Sequence, residues 1–160
     1  MIETVILDSP LGSMEIKGDV FGITSVTFLD EKIPATTIEN SAPVLKKAYE
    51  QLLEFFEGTR TEFDLKLNPQ GTDFQKKVWT ALSTIPYGKT FTYMDMAKQL
   101  GDPKVIRAAA SANGKNPINI IIPCHRVIGT DHSLTGYAGG LWRKKWLLEH
   151  ESPVRQTALF

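Results

Sequence analysis

The sequence predicts an α/β protein in two parts, an N-terminal sheet covered by a helix and a mainly helical C-terminal module. Short apolar runs broken by glycine and proline occupy the first part, as in antiparallel strands joined by turns. Apolar residues at three- and four-residue spacing, preceded by capping sequences, occupy the second part. The charge balance also changes sign between the two parts, which supports a division near residue 70.

Length and composition narrow the class of protein. The chain has 160 residues, of which 42% are hydrophobic and 22% charged, as in soluble globular proteins. This length fits one domain or two small ones. No apolar run approaches the roughly 20 residues of a membrane span, and residues 1–4 do not resemble the start of a signal peptide. We therefore expect a cytoplasmic protein that does not enter a membrane.

The net charge of zero hides an asymmetry between the two halves. Residues 1–70 contain 6 Lys and Arg against 12 Asp and Glu, a net charge of −6, whereas residues 71–160 contain 12 against 6, a net charge of +6. Two explanations fit this asymmetry. Surface charges could be segregated by chance, or a basic module could bind a polyanion while the acidic module avoids the polyanion.

The first part is predicted as residues 1–70. Its apolar runs fit an antiparallel meander of three strands, followed by a helix that Ser41 and Pro43 open and Gly58 ends. A further short strand is expected at 63–67, before the break at 68–71. The three strands of the meander are expected at 4–7, 14–17 and 23–28.

Helix-capping signals organise the second part, residues 71–160. Thr72 with Gln75 and Thr92 with Asp95 each form a capping box at the start of a helix. The second of these helices ends at Gly101, and Asp102-Pro103 is expected to cap another helix that runs to about Asn113. Two helices joined by so short a turn are typical of a helix-turn-helix unit.

The second helix of this pair favours a role in DNA binding. Arg107 stands among small residues, Ala108, Ala109 and Ser111, so the helix backbone could approach a groove closely. Tight packing against another helix would equally suit a row of alanines. The positive charge of this half favours DNA.

The single cysteine, Cys124, follows an apolar run that we expect to be a strand, 120–122, and Pro123, which interrupts a sheet ladder. His125 and Arg126 are basic neighbours expected to favour the thiolate. One cysteine cannot form an internal disulfide or a zinc site built from several cysteines. It is either a buried small apolar residue or a nucleophile.

The segment Pro123-Cys124-His125-Arg126-Val127 resembles the active-site signature of the O6-alkylguanine-DNA alkyltransferases, also called methylated-DNA-protein-cysteine methyltransferases. Other landmarks of that family follow the same order along almost the whole chain to Glu151, which makes the resemblance highly specific. They are 9–12 (SPLG), 74–79 (FQKKVW), 85–88 (IPYG), 92–93 (TY), 116–117 (NP), 135–141 (TGYAGGL) and 146–151 (WLLEHE).

The resemblance implies a fold and a reaction. The first part would be a ribonuclease-H-like domain and the second a winged-helix module that repairs DNA. Cys124 would accept the alkyl group of O6-alkylguanine, and of O4-alkylthymine as well, in a single irreversible turnover. His125 would act as its base through a water, and Glu151 would orient the histidine.

The resemblance also assigns the residues that bind the damaged base. Tyr93 would donate a proton to the guanine and help to rotate the nucleotide, and Arg107 would enter the duplex in place of the flipped base. The helix carrying Arg107 would dock in the minor groove through Ala108, Ala109 and Ser111. The remaining pocket residues would be Asn116, Val127, Tyr137 and Ala138.

The expected partner is double-stranded DNA carrying O6-alkylguanine, bound by a monomer without a cofactor or a metal. Two other functions compete with this one. A cysteine hydrolase could use the same residue types, but such enzymes commonly bring their histidine from elsewhere in the chain, and nothing marks an oxyanion hole. A non-enzymatic sensor of alkylated DNA would share the fold, although the sensors of this family lack the cysteine.

Overall fold

The computed structural model describes residues 1–152 and forms two compact units. The first unit contains residues 1–70 together with 117–119, and the second contains residues 71–116 and 120–152. The predicted α/β class and its two-part architecture are confirmed. The stretch 117–119 had been expected in the second part, so the units are not two simple halves of the chain. The sequence-based expectations for the tail, 153–160, lie outside the described residues.

A three-stranded antiparallel sheet is the core of the first unit, as the apolar runs predicted. It consists of β1 (Glu3–Ser9), β2 (Gly12–Asp19) and β3 (Gly22–Phe28), in that order across the sheet. Val5 pairs with Ile16, which pairs in turn with Val26, and all three are buried. Buried and partly exposed residues alternate in the second half of β2, whereas residues 5–7 of β1 are buried in succession. The directly paired residues Val5, Ile16 and Val26 share one apolar face of the sheet.

Helix α1 (Pro43–Glu57) packs on this sheet through residues at helical spacing, which include Leu45, Leu52 and Phe55. It ends at Gly58, whose φ of 85° is in the left-handed region that glycine adopts at little cost. Ser41 does not cap the helix. Ala42 is the N-cap and makes no side-chain cap bond, so Pro43 alone marks the start.

The strand predicted at 63–67 is wrong, because this segment forms only one isolated bridge, between Ile23 and Leu67. A side chain of α1 takes the place of a partner strand. The amide of Gln51 accepts from the backbone N–H of Asp64 at 2.9 Å and donates to its carbonyl at 3.2 Å. The backbone is therefore satisfied without a sheet ladder.

Residues 117–119 complete the first unit at the edge of β3. Val26 donates its N–H to the carbonyl of Pro117 at 2.9 Å and accepts from the backbone N–H of Asn119 at 3.0 Å. The side-chain amide of Asn119 donates to the same Val26 oxygen at 3.0 Å. A short parallel bridge thus joins two segments that are far apart in sequence.

Up to residue 152, the second unit contains four α-helices and one short pair of strands. Both predicted capping boxes are confirmed, at Thr72 before α2 and at Thr92 before α3. Strand β4 (Phe91–Thr92) pairs in parallel with β5 (Val127–Ile128). The helices are α2 (Asp73–Leu82), α3 (Tyr93–Gln99), α4 (Ile106–Gly114) and α5 (Leu141–Glu151).

A helix-turn-helix unit is formed by α3 and α4. The turn contains Gly101 at a φ of 93°, and the Asp102 side chain accepts from the N–H of Lys104 at 2.9 Å. Residues 103–105 form a 3-10 turn, so α4 starts later than predicted and includes Gly114. The indole of Trp79 in α2 donates to the carbonyl of Ala112 at 2.9 Å and so holds α4 against α2. None of the helices within residues 1–152 is long and apolar enough to span a membrane.

Candidate active site

The backbone around Cys124 is a series of turns, so the strand predicted at 120–122 is wrong. Ile120 has a φ of 71°, in the left-handed region, where a β-branched residue is strained. Pro123, with φ −81° and ψ 63°, forms a tight turn in which the N–H of Cys124 donates to the carbonyl of Ile122 at 2.8 Å. Cys124–Arg126 is a 3-10 turn. The side chains of the isoleucines at 120–122 are buried, although their backbone forms turns and not a strand.

The Cys124 side chain, 3% exposed, lies in the wall of a cavity of about 180 Å³ in the second unit. Elements far apart in sequence form this cavity: the start of α3, the end of α4 and the loop before α5. A small planar group could therefore enter and reach the sulfur without unfolding the turn. The other residues that line it are Tyr93, Ala110, Asn113, Gly114, Gly136, Tyr137 and Ala138.

Burial raises the pKa of the Cys124 thiol to about 11, against the opposing effects of a hydrogen bond with Asn116 and the charge of Lys144. The thiol is therefore protonated at neutral pH, when it is a poor nucleophile. Reaction at this sulfur needs a base that removes the proton while the attack takes place.

His125 is fully buried, and its Nε2 lies 2.7 Å from Oε2 of Glu151. Burial alone would raise the pKa of Glu151, but the charge and hydrogen bond of His125, and those of Arg126, outweigh it and lower the pKa to about 2. An ionised carboxylate only accepts hydrogen bonds, so Nε2 carries the proton and Nδ1 carries the lone pair. Within residues 1–152, Nδ1 has no hydrogen-bond partner.

The histidine is able to act as a base at neutral pH. Burial lowers the pKa of His125, and although Glu151 opposes this effect, the charges of Arg126 and Lys144 reinforce it. The imidazole is therefore neutral at pH 7 with a lone pair on Nδ1. The base therefore comes directly after the only cysteine of the sequence, and its orienting carboxylate comes from α5.

Arg126 does not support the thiolate, contrary to the prediction. Its Nε and Nη2 donate to the two carboxylate oxygens of Glu151 at 2.8 and 2.9 Å, and Nη1 donates to the carbonyl of Ile85 at 2.7 Å. The guanidinium also lies over the ring of Tyr87, 5.7 Å from its centroid. Arg126 therefore fixes Glu151 in its ionised, oriented form.

Lys144, on α5, has no exposed surface and was not identified from the sequence. Its Nζ donates to the carbonyls of Val127 at 2.6 Å and Thr135 at 3.1 Å. Lys144, Leu147 and Glu151 lie on one buried helix face at spacings of three and four. The sequence did contain a signal for the burial of Lys144. Lys144 and Glu151 stand at helical spacing from the apolar Leu147, at positions where a buried helix face normally has apolar residues.

The other predicted pocket residues surround the thiol. Asn116 donates from Nδ2 to the carbonyl of Ile122 at 2.8 Å and so braces the turn before the cysteine. Asn113, which the sequence analysis did not single out, donates from Nδ2 to the hydroxyl of Tyr93 at 3.5 Å. Tyr93, Tyr137 and Ala138 all line the cavity, whereas Val127, in β5, is fully buried and does not belong to the cavity lining.

The predicted DNA-facing residues of α4 do not all share one surface. Arg107, Ala108 and Ser111 are exposed, but Ala109 is 2% exposed. The expectation that Ala109 contacts DNA is therefore wrong, because its side chain lies on the inward face of the helix, the face on which Ala112 is also buried. Within the described part of the chain no cluster of His, Cys, Asp or Glu could hold a metal ion.

The two-part α/β fold contains, in its second unit, a buried cysteine followed by a histidine that Glu151 holds in place. Sequence profiles of two domains match the chain. The 6-O-methylguanine DNA methyltransferase ribonuclease-like domain matches residues 1–69, and the DNA binding domain of the same family matches residues 73–153.

Individual relatives agree with these matches. A methylated-DNA–protein-cysteine methyltransferase of Methanosarcina barkeri is 50% identical over 150 residues, which are 91% of this chain and 94% of the relative. The crystal structure of the Mycobacterium tuberculosis O6-methylguanine methyltransferase superposes with a TM-score of 0.83 at 44% identity, over 94% of this chain and 93% of that one. Mycobacterium tuberculosis OGT in complex with DNA superposes with a TM-score of 0.81 at 45% identity, over 91% and 90%. The chain belongs to the 6-O-methylguanine DNA methyltransferase family.

Proposed function

We propose that this protein repairs DNA by transferring the alkyl group of O6-alkylguanine irreversibly to Cys124. The observation that carries the proposal is the 2.7 Å contact between Nε2 of His125 and Oε2 of Glu151, together with the lack of a hydrogen-bond partner for Nδ1 within residues 1–152. Glu151 holds the proton of His125 on Nε2, and the free lone pair of Nδ1 belongs to the residue next to the cysteine. The family membership and the names of the relatives agree with this reaction.

In the proposed reaction the thiol proton passes to Nδ1 of His125 through a water, and the sulfur attacks the alkyl carbon. A carbon–sulfur bond forms as the bond from that carbon to guanine O6 breaks, and the electron pair of the broken bond stays on the guanine. The carbon–sulfur bond of the resulting thioether is stable. Each molecule therefore acts once.

Tyr93 is proposed to neutralise the departing guanine. Its hydroxyl accepts from Nδ2 of Asn113, so its own proton is available to an acceptor in the cavity. Donation to a ring nitrogen would stabilise the negative charge that develops as the base leaves. The backbone of Val127 and Ala138 and the ring of Tyr137 would hold the base against the sulfur.

The DNA surface is proposed to be the exposed face of α4, which presents Arg107 beside the small side chains of Ala108 and Ser111. A buried thiol reaches a guanine only after the nucleotide leaves the duplex, at a cost of a few kcal/mol. Arg107 would fill the space left in the stack and hold the flipped state. A monomer in the cytoplasm suffices for this reaction, and O4-alkylthymine is a second proposed substrate.

The direct test is to incubate the protein with a duplex containing one O6-methylguanine and to measure its intact mass. A gain of one methylene unit, mapped to the Cys124 peptide, is expected with the methylated duplex and not with the same duplex lacking the methyl group. A protein that binds the lesion duplex but gains no mass would instead be a sensor. No binding and no gain would remove both functions.

Replacing Arg107 with alanine is expected to slow methyl transfer from a duplex by about 10- to 100-fold, since the flipped state loses its support. Transfer from free O6-methylguanine should be unchanged, because a free base needs no flipping. Both rates are measured by single-turnover mass spectrometry. Lys104→Ala, an exposed cation nearby, is the control for general loss of charge. An equal loss on both substrates would contradict the proposed role of Arg107.

A further inference from the structure

Asn113 lines the cavity, and one end of its side-chain amide is unpaired. The residue lies in the last turn of α4 and is 6% exposed. Its Nδ2 donates to the hydroxyl of Tyr93 at 3.5 Å, whereas its Oδ1 is buried and has no hydrogen-bond partner within residues 1–152. An unpaired buried carbonyl oxygen is unfavourable, so the fold carries a cost that a donor on a bound molecule would remove.

The contact with Tyr93 determines which end of the amide serves the base. A phenolic hydroxyl has one proton, and the proposed reaction uses that proton for the departing guanine. With Nδ2 as the donor, the hydroxyl keeps its proton and Oδ1 remains an acceptor. The reverse orientation would make Oδ1 accept the hydroxyl proton and withhold it from the guanine. A base that accepts from Tyr93 therefore comes next to a buried acceptor on Asn113.

One group of an O6-alkylated guanine can pair with this acceptor. Alkylation at O6 leaves N1 without a proton, so the ring nitrogens N1, N3 and N7 all accept and the 2-amino group is the only donor of the base. The amino group is bonded to the carbon between N1 and N3. A hydroxyl that donates to either of these nitrogens has the amino group beside it, just as Nδ2 of Asn113 has Oδ1 beside it. The two pairs of groups are complementary.

We propose that Asn113 is a specificity-determining residue whose Oδ1 accepts a hydrogen bond from the 2-amino group of the flipped O6-alkylguanine. The inference deepens the proposed function and rests on it. O4-alkylthymine has no N–H donor, so its entry would leave Oδ1 unpaired, and its alkyl group should be transferred more slowly. A single side-chain oxygen thus sets a preference for alkylguanine over alkylthymine.

The test compares two duplexes that contain O6-methylguanine or O6-methylhypoxanthine, which lacks only the 2-amino group. Single-turnover rates of methyl transfer are measured by intact mass for the wild type and for Asn113→Leu, which removes the acceptor and keeps a similar volume. The ratio of the two rates, guanine over hypoxanthine, should be about tenfold larger in the wild type than in the variant. Differences in pairing or flipping between the duplexes are common to both proteins and cancel when the ratios are compared.

Two further variants separate recognition of the amino group from structural effects. Asn113→Asp keeps an acceptor, so it should retain the preference for O6-methylguanine, but it should slow transfer from both duplexes because a carboxylate oxygen accepts the Tyr93 proton. Lys115→Leu changes an exposed neighbour at the end of α4 and should leave the ratio as in the wild type. Thermal unfolding confirms that each variant is folded. If Asn113→Leu does not fold, Asn113→Ala also removes the acceptor and replaces it.

Equal ratios in the wild type and Asn113→Leu would overturn the proposal, and the amino group would then be bound by main-chain carbonyls of the cavity wall. In that case transfer still occurs, so only the role of Asn113 fails. If the wild type transfers no methyl group from either duplex, the proposed function fails, and the Kd of each duplex is compared by fluorescence anisotropy instead. A tenfold preference that Asn113→Leu loses would support Asn113 as the residue that reads the base, and equal Kd values would overturn it.

Discussion

Replacing Cys124 with serine is expected to abolish methyl transfer while leaving the protein able to bind a duplex with O6-methylguanine. A serine hydroxyl is far less acidic than a thiol, and the neutral His125 is too weak a base to produce its anion. The side chain lies in the wall of the cavity and is nearly isosteric, so the pocket that receives the base should persist. The rate is measured by intact mass in a single turnover and the affinity by fluorescence anisotropy.

The matched control for this variant is Cys124→Ala, which removes the nucleophile and any hydrogen bond from it. Both variants should bind the methylated duplex as tightly as the wild type and should hold it longer, because no product forms. Methyl transfer by either variant at a rate near that of the wild type would exclude Cys124 as the acceptor. Loss of binding in both would show that the thiol is needed for the fold of the pocket.

Replacing Glu151 with glutamine is expected to have the second largest effect. Three N–H groups, from Nε2 of His125 and from Nε and Nη2 of Arg126, converge on the two carboxylate oxygens. Glutamine offers one acceptor oxygen and places an NH₂ group against the remaining donors. We expect about 3 to 5 kcal/mol less stability and, because His125 loses its fixed tautomer, methyl transfer slower on the order of a thousandfold.

The pH dependence of stability gives a separate measure of Glu151. Its pKa is lowered from the ordinary value of 4.5 to about 2, so the carboxylate stabilises the fold above pH 4.5 and loses that contribution as the pH falls toward 2. The difference amounts to about 3 kcal/mol. Urea unfolding at a series of pH values should show this loss in the wild type and not in Glu151→Gln.

Glu149→Gln provides the control for this variant. Glu149 lies two residues earlier on α5, is half-buried, and its closest basic partner, Lys145, is 3.8 Å away. Its replacement should change the free energy of unfolding by less than about 1 kcal/mol. A comparable loss of activity in both variants would mean that α5 tolerates no change of charge, and the effect at Glu151 would not report on His125.

Local signals predicted most of the elements because they act over a few residues. The capping boxes at Thr72 and Thr92 depend on contacts three residues apart, and both helices begin where expected. The apolar run 120–122 was wrongly predicted to be a strand, because no signal within a few residues determines its conformation. Periodicity does not distinguish a buried strand from a buried turn, and nothing local reveals the left-handed φ of Ile120.

The residues of the site show the same difference between local sequence signals and contacts set by the tertiary fold. Cys124, His125 and Glu151 belong to short signatures and were identified from them, whereas the partners of Arg126 are set by the tertiary fold. Lys144 looks like a surface residue in a run of three basic side chains. The middle one of the three is buried, and the signal for this was its helical spacing with Leu147 and Glu151 and not its own residue type.

The short parallel bridge at β3 has a consequence for synthesis on the ribosome. The first unit obtains its last backbone partners from Pro117 and Asn119, and the bond from Asn119 to Val26 spans 93 residues. Its sheet can form early, but the edge of β3 is not closed by this segment until residue 119 has emerged. An open strand edge invites pairing with other chains. The nascent protein is therefore most exposed to aggregation while the chain from residue 71 to residue 119 is being made.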